Sequence, residues 1–343
     1  MFVSEVPALR EYWYPVGYTH DLGPEPVRFR VFGEDYVMWR PTDDARPHAA
    51  ADSCPHRGAR LSQGWIADGC LVCPYHGWRF DSSGRCVYIP SADPGTPIPP
   101  RAHVPSILCD ERYGLVWVCV GVPREGIPNL GEADDPGYTL IHEMMDVWKA
   151  SAPHIIDNAL DVSHVAWVHR NSVGSAADPR LSDFTVERDG TNLKFSVSYI
   201  TRITAQQRAN TGIENEFTTR VTHAELVQPL VFRGALEYLE NGLIHVLYKT
   251  ATPVDDEHTL FCQFIARNDS PDEQKQAGII AVDHTVQSED KLLLEGLNPD
   301  FHVEVTSEVH VRSDRMTIEY RRVLAELMAE TSPSPLRVPV RNR

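Results

Sequence analysis

Two short cysteine–histidine boxes set the terms for this chain. They read Cys54-Pro55-His56-Arg57-Gly58 and Cys73-Pro74-Tyr75-His76-Gly77-Trp78, with sixteen residues between His56 and Cys73. Each box offers one thiolate and one imidazole. Two Cys and two His hold either zinc, as a structural clamp, or a [2Fe–2S] cluster with both imidazoles on one iron. The spacing alone does not separate these readings. The flanks favour the cluster: Pro follows each cysteine and Gly lies at or near each histidine, which suits tight loops that approach a cluster and give backbone N–H groups to its sulfurs. A zinc clamp has no use for Tyr75 or Trp78.

The remaining composition narrows the setting. At 343 residues the chain has room for one large domain or two ordinary ones. With 42% hydrophobic and 23% charged residues it reads as a soluble globular protein. No apolar run approaches the roughly 20 residues of a membrane span, and Met1-Phe2-Val3-Ser4-Glu5 does not resemble a signal peptide. A net charge of −16 argues against nucleic acid or an anionic membrane as main partner. The cysteines at 54, 70, 73, 86, 109, 119 and 262 are odd in number and thinly spread, unlike a secreted disulfide framework. The expected compartment is therefore the cytoplasm. Cys109 and Cys119 sit in apolar strand-like sequence and read as inert core thiols; Cys70 and Cys86 have no assignable role.

Residues 10–120 are dense in strand and turn signals, including a hairpin through Phe29–Trp39. Helical periodicity is nearly absent there. The Pro-, Gly- and acid-rich stretch 121–138 reads as a linker or surface crossover. A helix is expected over about 152–170, antiparallel strands over 182–268, and helices over 272–297 and 313–330, with a mobile tail after them. The fold class is thus α+β: an all-β domain at 10–122, then a domain at 123–343 with a central antiparallel sheet flanked by helices.

The second domain needs a reason to receive electrons, and the segment Asn158-Ala159-Leu160-Asp161-Val162-Ser163-His164-Val165-Ala166-Trp167-Val168-His169 offers one. Asp161 and His164 share a helix face. His164 and His169 are five apart, about 140° on an ideal helix, so they converge only if the helix bends or loosens near Trp167. Lone histidines among apolar residues are usually core residues; two of them with an acid one turn upstream, beyond a cluster box, are a different matter.

Together these segments resemble the Rieske non-haem iron oxygenases, in particular the single-subunit-type monooxygenases and O-demethylases such as vanillate and dicamba demethylases and toluenesulfonate methyl-monooxygenase. Val309-His310-Val311-Arg312-Ser313-Asp314-Arg315 through Tyr320-Arg321-Arg322 is also similar to hydroxylases of saxitoxin biosynthesis. The resemblance implies that Cys54 and Cys73 bind one cluster iron and His56 and His76 the other. It implies His164 and His169 as ligands of a mononuclear Fe(II), completed by one carboxylate. Asp290 is the expected third ligand: on a helix it falls in line with Val286, Leu293 and Leu297, where a carboxylate is costly unless paired or metal-bound. It also matches the family's Glu-Asp-x segment. Asp283, Glu289 and Glu295 are rivals expected to be solvated surface charges.

The resemblance further implies a cyclic homotrimer in which Asp161 accepts N–H bonds from His76 of one subunit and His164 of the next; Asn158 belongs to the same motif. The expected function is the terminal oxygenase component of a monooxygenase system. It would use O2 to hydroxylate a C–H bond of a small cyclic substrate, with demethylation where that carbon is a methyl on O or N. No dinucleotide loop or plant-type ferredoxin run occurs, so electrons from NAD(P)H must arrive through a separate flavin/iron–sulfur reductase, with or without a ferredoxin. Lys249, by its offset from Thr252-Pro253, aligns with a substrate-binding histidine of the dicamba enzyme, and His245 shares its strand face; Lys249 could pair with a substrate carboxylate. Two other classes stay in view: a stand-alone Rieske electron carrier, which leaves residues 140–343 without a task, and a zinc-stabilised binding protein.

Overall fold

One strand with both faces buried joins the two halves of the molecule. The structure, a computed structural model, describes residues 1–42, 46–176 and 178–330. The tail expected to be mobile, 331–343, lies outside the described residues.

The N-terminal half consists of strands β1 (Tyr14–Tyr18), β2 (Val27–Val31), β3 (Glu34–Trp39), β4 (His48–Ala51), β5 (Trp65–Ala67), β6 (Cys70–Val72), β7 (Arg79–Phe80), β8 (Cys86–Tyr88), β9 (Ser106–Arg112) and β10 (Leu115–Cys119). Six pair in the order β1-β10-β9-β4-β3-β2, and the other four form the sheet β5-β6-β7-β8. The joining strand is β10, an unbroken apolar run. Val116 and Val118 pack with Val31, Tyr36 and Met38 inside this half. Leu115, Trp117 and Cys119 pack with Val246, Tyr248 and Phe264 of the second half. A strand covered on both faces has no polar side to show, which is why it reads as continuous rather than alternating.

The second half carries strands β11 (Thr139–Trp148), β12 (Glu187–Asp189), β13 (Asn192–Arg202), β14 (Phe217–Gln228), β15 (Val231–Tyr238), β16 (Leu243–Pro253) and β17 (Thr259–Arg267), in the order β11-β17-β16-β15-β14-β13-β12. Helices are α1 (Gly131–Asp134), α2 (Ala152–Leu160), α3 (Val165–Val168), α4 (Ala205–Thr211), α5 (Glu273–Leu294) and α6 (Arg315–Ala329). Along β13, Leu193, Phe195, Val197, Tyr199 and Thr201 alternate inward. The expected α+β class is what forms.

Four local expectations change. The helix expected over 152–170 ends at Leu160, because the Asp161 backbone is extended (φ −89°, ψ 100°). β11, absent from the sequence reading, is an edge strand of the seven-stranded sheet. The stretch 121–138 is anchored rather than loose: Leu130 is fully buried, its N–H donates to the Tyr113 hydroxyl at 2.8 Å, and that hydroxyl donates to the Pro128 carbonyl at 3.0 Å. Cys109 is only partly buried, whereas Cys119 is core.

The first residues also belong to the second half. Val3, Val6, Leu9 and Tyr12 pack with Trp148, Ile156, Phe301 and Tyr320. Burying a large apolar side chain contributes about 1.5–3 kcal/mol, so this segment ties the halves together from outside the first sheet.

Candidate active site

The two boxes fold as matched loops after β4 and β6. In each, the cysteine N–H donates to a carbonyl five residues on (Ala59 and Trp78, both 2.9 Å). In each, the glycine four residues on donates back to the cysteine carbonyl (2.9 and 3.0 Å). Gly58 and Gly77 have φ of +71° and +69°, which side chains with a Cβ adopt at a cost. The result places both cysteines inward, at 2% and 1% exposure, and the imidazoles outward. The His56 and His76 rings are 4.5 Å apart, and Trp78 stacks on His56 at 4.5 Å.

These residues fit a [2Fe–2S] cluster. Burial, then the neighbouring Cys73 thiol, pushes the Cys54 thiol up to about 11. A thiol so raised ionises only beside a cation, which a pair of iron ions would supply. His56 Nδ1 is buried without a hydrogen-bond partner among the described residues, as expected of a nitrogen reserved for metal.

A second convergence lies in the other half. His164 Nε2 is 3.2 Å from His169 Nε2, and Asp290 Oδ1 is 3.5 and 3.3 Å from those nitrogens. It is the one group of three or more metal-ligating side chains found this close together among the described residues. The histidines converge because the helix gives out just past Trp167: α3 is a single turn, and at its end the His169 backbone leaves helical geometry (φ −96°, ψ 22°). The chain breaks upstream, at Asp161, where Ser163 N–H caps the Asp161 carboxylate at 2.7 Å. His164 then opens, and His169 closes, the single turn α3. Gly174 packs directly on that turn; a Cβ there would lie 2.3 Å from the Val165 carbonyl oxygen.

Second partners set both tautomers. His164 Nδ1 donates to the main-chain carbonyl of Asp161, and His169 Nδ1 donates to Glu289 Oε2 at 2.8 Å. Each leaves Nε2 with its lone pair toward the shared point. The Asp161 carboxylate itself does not take the His164 N–H, contrary to expectation; its Oδ1 accepts from Ser163 N–H and Oγ. Asn158 Nδ2 donates to Asp290 Oδ1 at 3.4 Å. Burial raises the Asp290 carboxyl, but His169, Lys249 and His164 outweigh it and hold it at about 2. Asp290 Oδ2 is buried with no hydrogen-bond donor among the described residues. An ionised, buried oxygen beside two free imidazole nitrogens fits a divalent iron.

The triad faces a cavity of about 110 Å³ between the sheet and α5. Lys249 and His245, singled out from sequence, both line it. Lys249 Nζ is 3.8 Å from Asp290 Oδ2 and His245 Nε2 is 3.3 Å from Asp283 Oδ2. Behind them, Glu143 accepts from Gln263 Nε2 at 2.7 Å, and burial, then Asp283, raises its carboxyl well above the usual range.

Residues 12–107 match the Rieske [2Fe-2S] domain, and residues 148–330 match the vanillate O-demethylase oxygenase C-terminal domain. The chain is 30% identical to methylxanthine N1-demethylase NdmA of Pseudomonas putida over 330 residues, covering 93% of this chain and 89% of that protein. It is 31% identical to methylxanthine N3-demethylase NdmB of the same organism, with the same coverage. The chain belongs to the Rieske non-haem iron oxygenases. The solved NdmA structure superposes with a TM-score of 0.81 at 27% identity, covering 95% of this chain and 92% of NdmA.

Within this Rieske oxygenase, two acids expected to be solvated on the surface are partly buried parts of the site. Glu289 joins His169 and also accepts from Ser172 Oγ at 2.7 Å. Asp283 lines the cavity beside His245. Asp290 itself is inward, but Leu293 and Leu297 are about half exposed. The inward stripe of α5 is instead the buried Ile279, Gln287, Asp290 and Leu294 with the partly buried Asp283 that lines the cavity. It was hidden from hydrophobicity because three of its five members are polar.

Proposed function

We propose that this chain is the terminal oxygenase of a multicomponent monooxygenase, with Cys54, Cys73, His56 and His76 holding the cluster and His164, His169 and Asp290 holding a mononuclear Fe(II). The observation that carries this reading is the meeting of two imidazole nitrogens and one carboxylate oxygen, 3.2–3.5 Å apart, at a buried cavity wall. When bound, the cluster supplies single electrons and the Fe(II) activates O2 for insertion into a C–H bond.

The chain's own residues do the rest. The Asp161 carbonyl and the Glu289 carboxylate fix the two ligand tautomers. Asn158 orients Asp290, and Lys249 offsets its charge. The cavity seats a small organic molecule with little room for water. Its relatives are named as methylxanthine N-demethylases and a dicamba O-demethylase, which supports a methyl carbon on N or O as the reacting atom. Hydroxylation there releases formaldehyde.

A cyclic trimer supports the electron path. His76 and Tyr75 are exposed at one end, and Trp167, beside the iron ligands, is 55% exposed. Asp161 keeps its second carboxylate oxygen clear of hydrogen bonds with other described residues, available to the partner subunit's His76. The division near residue 122 is supported by sheet membership, since β1–β10 and β11–β17 do not mix. Among the described residues no helix is long and apolar enough to cross a membrane, in keeping with a cytoplasmic enzyme fed by a separate NAD(P)H-dependent reductase.

The test is iron analysis with a substrate screen. A red-brown protein with about three irons per chain, two of them in the cluster, is expected. Substrate-dependent O2 uptake with a generic reductase, assayed for formaldehyde, then separates demethylation from plain hydroxylation. Zinc in place of iron, or two irons and no O2 uptake with any candidate, would defeat the reading.

A further inference from the structure

The cavity holds a positive charge that the chain does not balance. Outside the ligand set, four basic side chains line it: Lys249, His245, Arg267 and Arg220. Three have acids. Lys249 is 3.8 Å from Asp290, His245 is 3.3 Å from Asp283, and Arg267 donates to both oxygens of Asp269, from Nε at 2.9 Å and Nη2 at 2.7 Å.

Arg220 has no carboxylate at ion-pair distance among the described residues. It is 6% exposed. Its Nε donates to the Tyr199 hydroxyl at 2.8 Å, and its Nη2 donates to the same oxygen. Its guanidinium carbon lies 4.9 Å from the Tyr199 ring centroid and 6.0 Å from that of Tyr238. Phenols carry no formal charge at neutral pH, and a guanidinium has five N–H donors in a fork matched to a planar oxyanion. A buried charge is strongly disfavoured unless an opposite charge joins it. The tyrosine rings hold the cation in place without neutralising it.

Sheet register puts this charge away from Lys249. Arg220 is opposite Tyr199 and Tyr238, and Tyr238 is opposite Leu243. Leu243 is six residues along β16 from Lys249, the residue beside Asp290; at ~3.3 Å per residue the backbone separation is about 20 Å. Both side chains reach into the same space, so the gap a ligand spans is shorter.

We propose that Arg220 is the anchor for an anionic group on the substrate, a carboxylate or sulfonate, seated at the part of the cavity wall that Arg220 shares with Tyr199 and Tyr238. This rests on the cavity being the substrate site of the oxygenase. It moves the anion site from Lys249, whose charge Asp290 and Asp283 already oppose, to a residue that the sequence did not single out.

The experiment titrates the holoenzyme calorimetrically with benzoate and 4-toluenesulfonate, and with benzamide and 4-toluenesulfonamide as neutral counterparts. The anions are expected to bind at least tenfold more tightly than the amides. Arg220→Gln should erase that ratio, Arg220→Lys should restore part of it, and Lys249→Met should leave it standing. The Arg220→Lys variant guards against misfolding of the Gln variant, and the cluster spectrum of each variant confirms that it is intact. Anions that bind no better than amides in the unmodified enzyme overturn the proposal. So does a ratio that survives Arg220→Gln, or one that vanishes in Lys249→Met. If iron content and O2 uptake hold while the anion preference is missing, this proposal fails alone. If the preference holds but the iron is absent, the oxygenase reading fails instead.

Discussion

The cluster loops and the iron triad are both two-histidine sites, but they are built in opposite ways. The cluster ligands come from two short segments that fold alike, each closed by its own backbone hydrogen bonds and a left-handed glycine. Their histidines face outward. The triad draws on residues 164, 169 and 290, and every ligand is held by a side chain or carbonyl outside it. A local site keeps its form when distant parts change. A composite site depends on α5 docking beside α3, and so on many contacts.

The largest effect expected from that difference is a clean separation of metal loss. Asp290→Ala should remove about one iron per chain and cut turnover by about 1,000-fold or more, because nothing else supplies the third oxygen. The cluster spectrum should persist. Cys73→Ser should do the reverse, bleaching the cluster while the mononuclear site still takes up added Fe(II). Loss of both centres in either variant, measured by iron analysis and visible absorption, would show that the two sites are not independently built.

How far each site could be read from sequence follows the same division. The boxes were legible because ligands, turn residues and flanks lie within a few positions. His164 and His169 were legible as a pair, and the loosening expected near Trp167 is where α3 ends; the further break at Asp161 was not legible. Asp290 was found partly through an apolar stripe that proved to be exposed at Leu293 and Leu297. Glu289 and Asp283 were missed because a charged residue on a mostly polar helix looks solvated until its partner, 120 residues upstream for Glu289, is known. Arg220 was invisible for the same reason: on β14, Arg220, Thr222 and Ala224 alternate inward, and polarity alone does not reveal the inward face. β10 was legible as a strand but not as the seam between two cores, since a run of apolar residues does not say what covers each face.

A smaller effect tests whether the two sites communicate through Asp161. Asp161→Asn should keep the colour and all the iron yet lower turnover by about 100-fold, on the scale of lost metal-site partners. The main-chain carbonyl that orients His164 is untouched by this change, so iron retention is expected on geometric grounds. In a single turnover with pre-reduced enzyme, the cluster should remain reduced after substrate and O2 are added. Normal coupled turnover would remove Asp161 from the path between the centres.

Next in size is Glu289→Gln. The amide oxygen can still accept from His169 Nδ1, but the negative charge that strengthens the imidazole as a donor to metal is gone. Iron affinity at the triad should weaken about tenfold, read from Fe(II) titration of the iron-stripped protein, while the cluster is unaffected. An unchanged titration would mean that hydrogen-bond geometry, not charge, is what Glu289 contributes.

The smallest effect concerns pH, and it separates the buried side of the molecule from its surface. His154 lies on α2, ahead of the iron motif, with Nδ1 2.6 Å from Ser151 Oγ and its ring 4.9 Å from that of Phe301. Burial, reinforced by Arg321, lowers its pKa to about 4. In the unfolded chain a histidine titrates near 6.5. Above that pH it is neutral in both states and carries no penalty. As the pH falls from 6.5 toward 4, the unfolded chain takes up a proton that the folded chain refuses, so stability drops, by about 2–3 kcal/mol across the window. His154→Gln should flatten this slope by about 2 kcal/mol in urea midpoints compared at pH 7.5 and 5, followed by tryptophan fluorescence. Equal slopes in the parent and the His154 variant would place the acid sensitivity elsewhere.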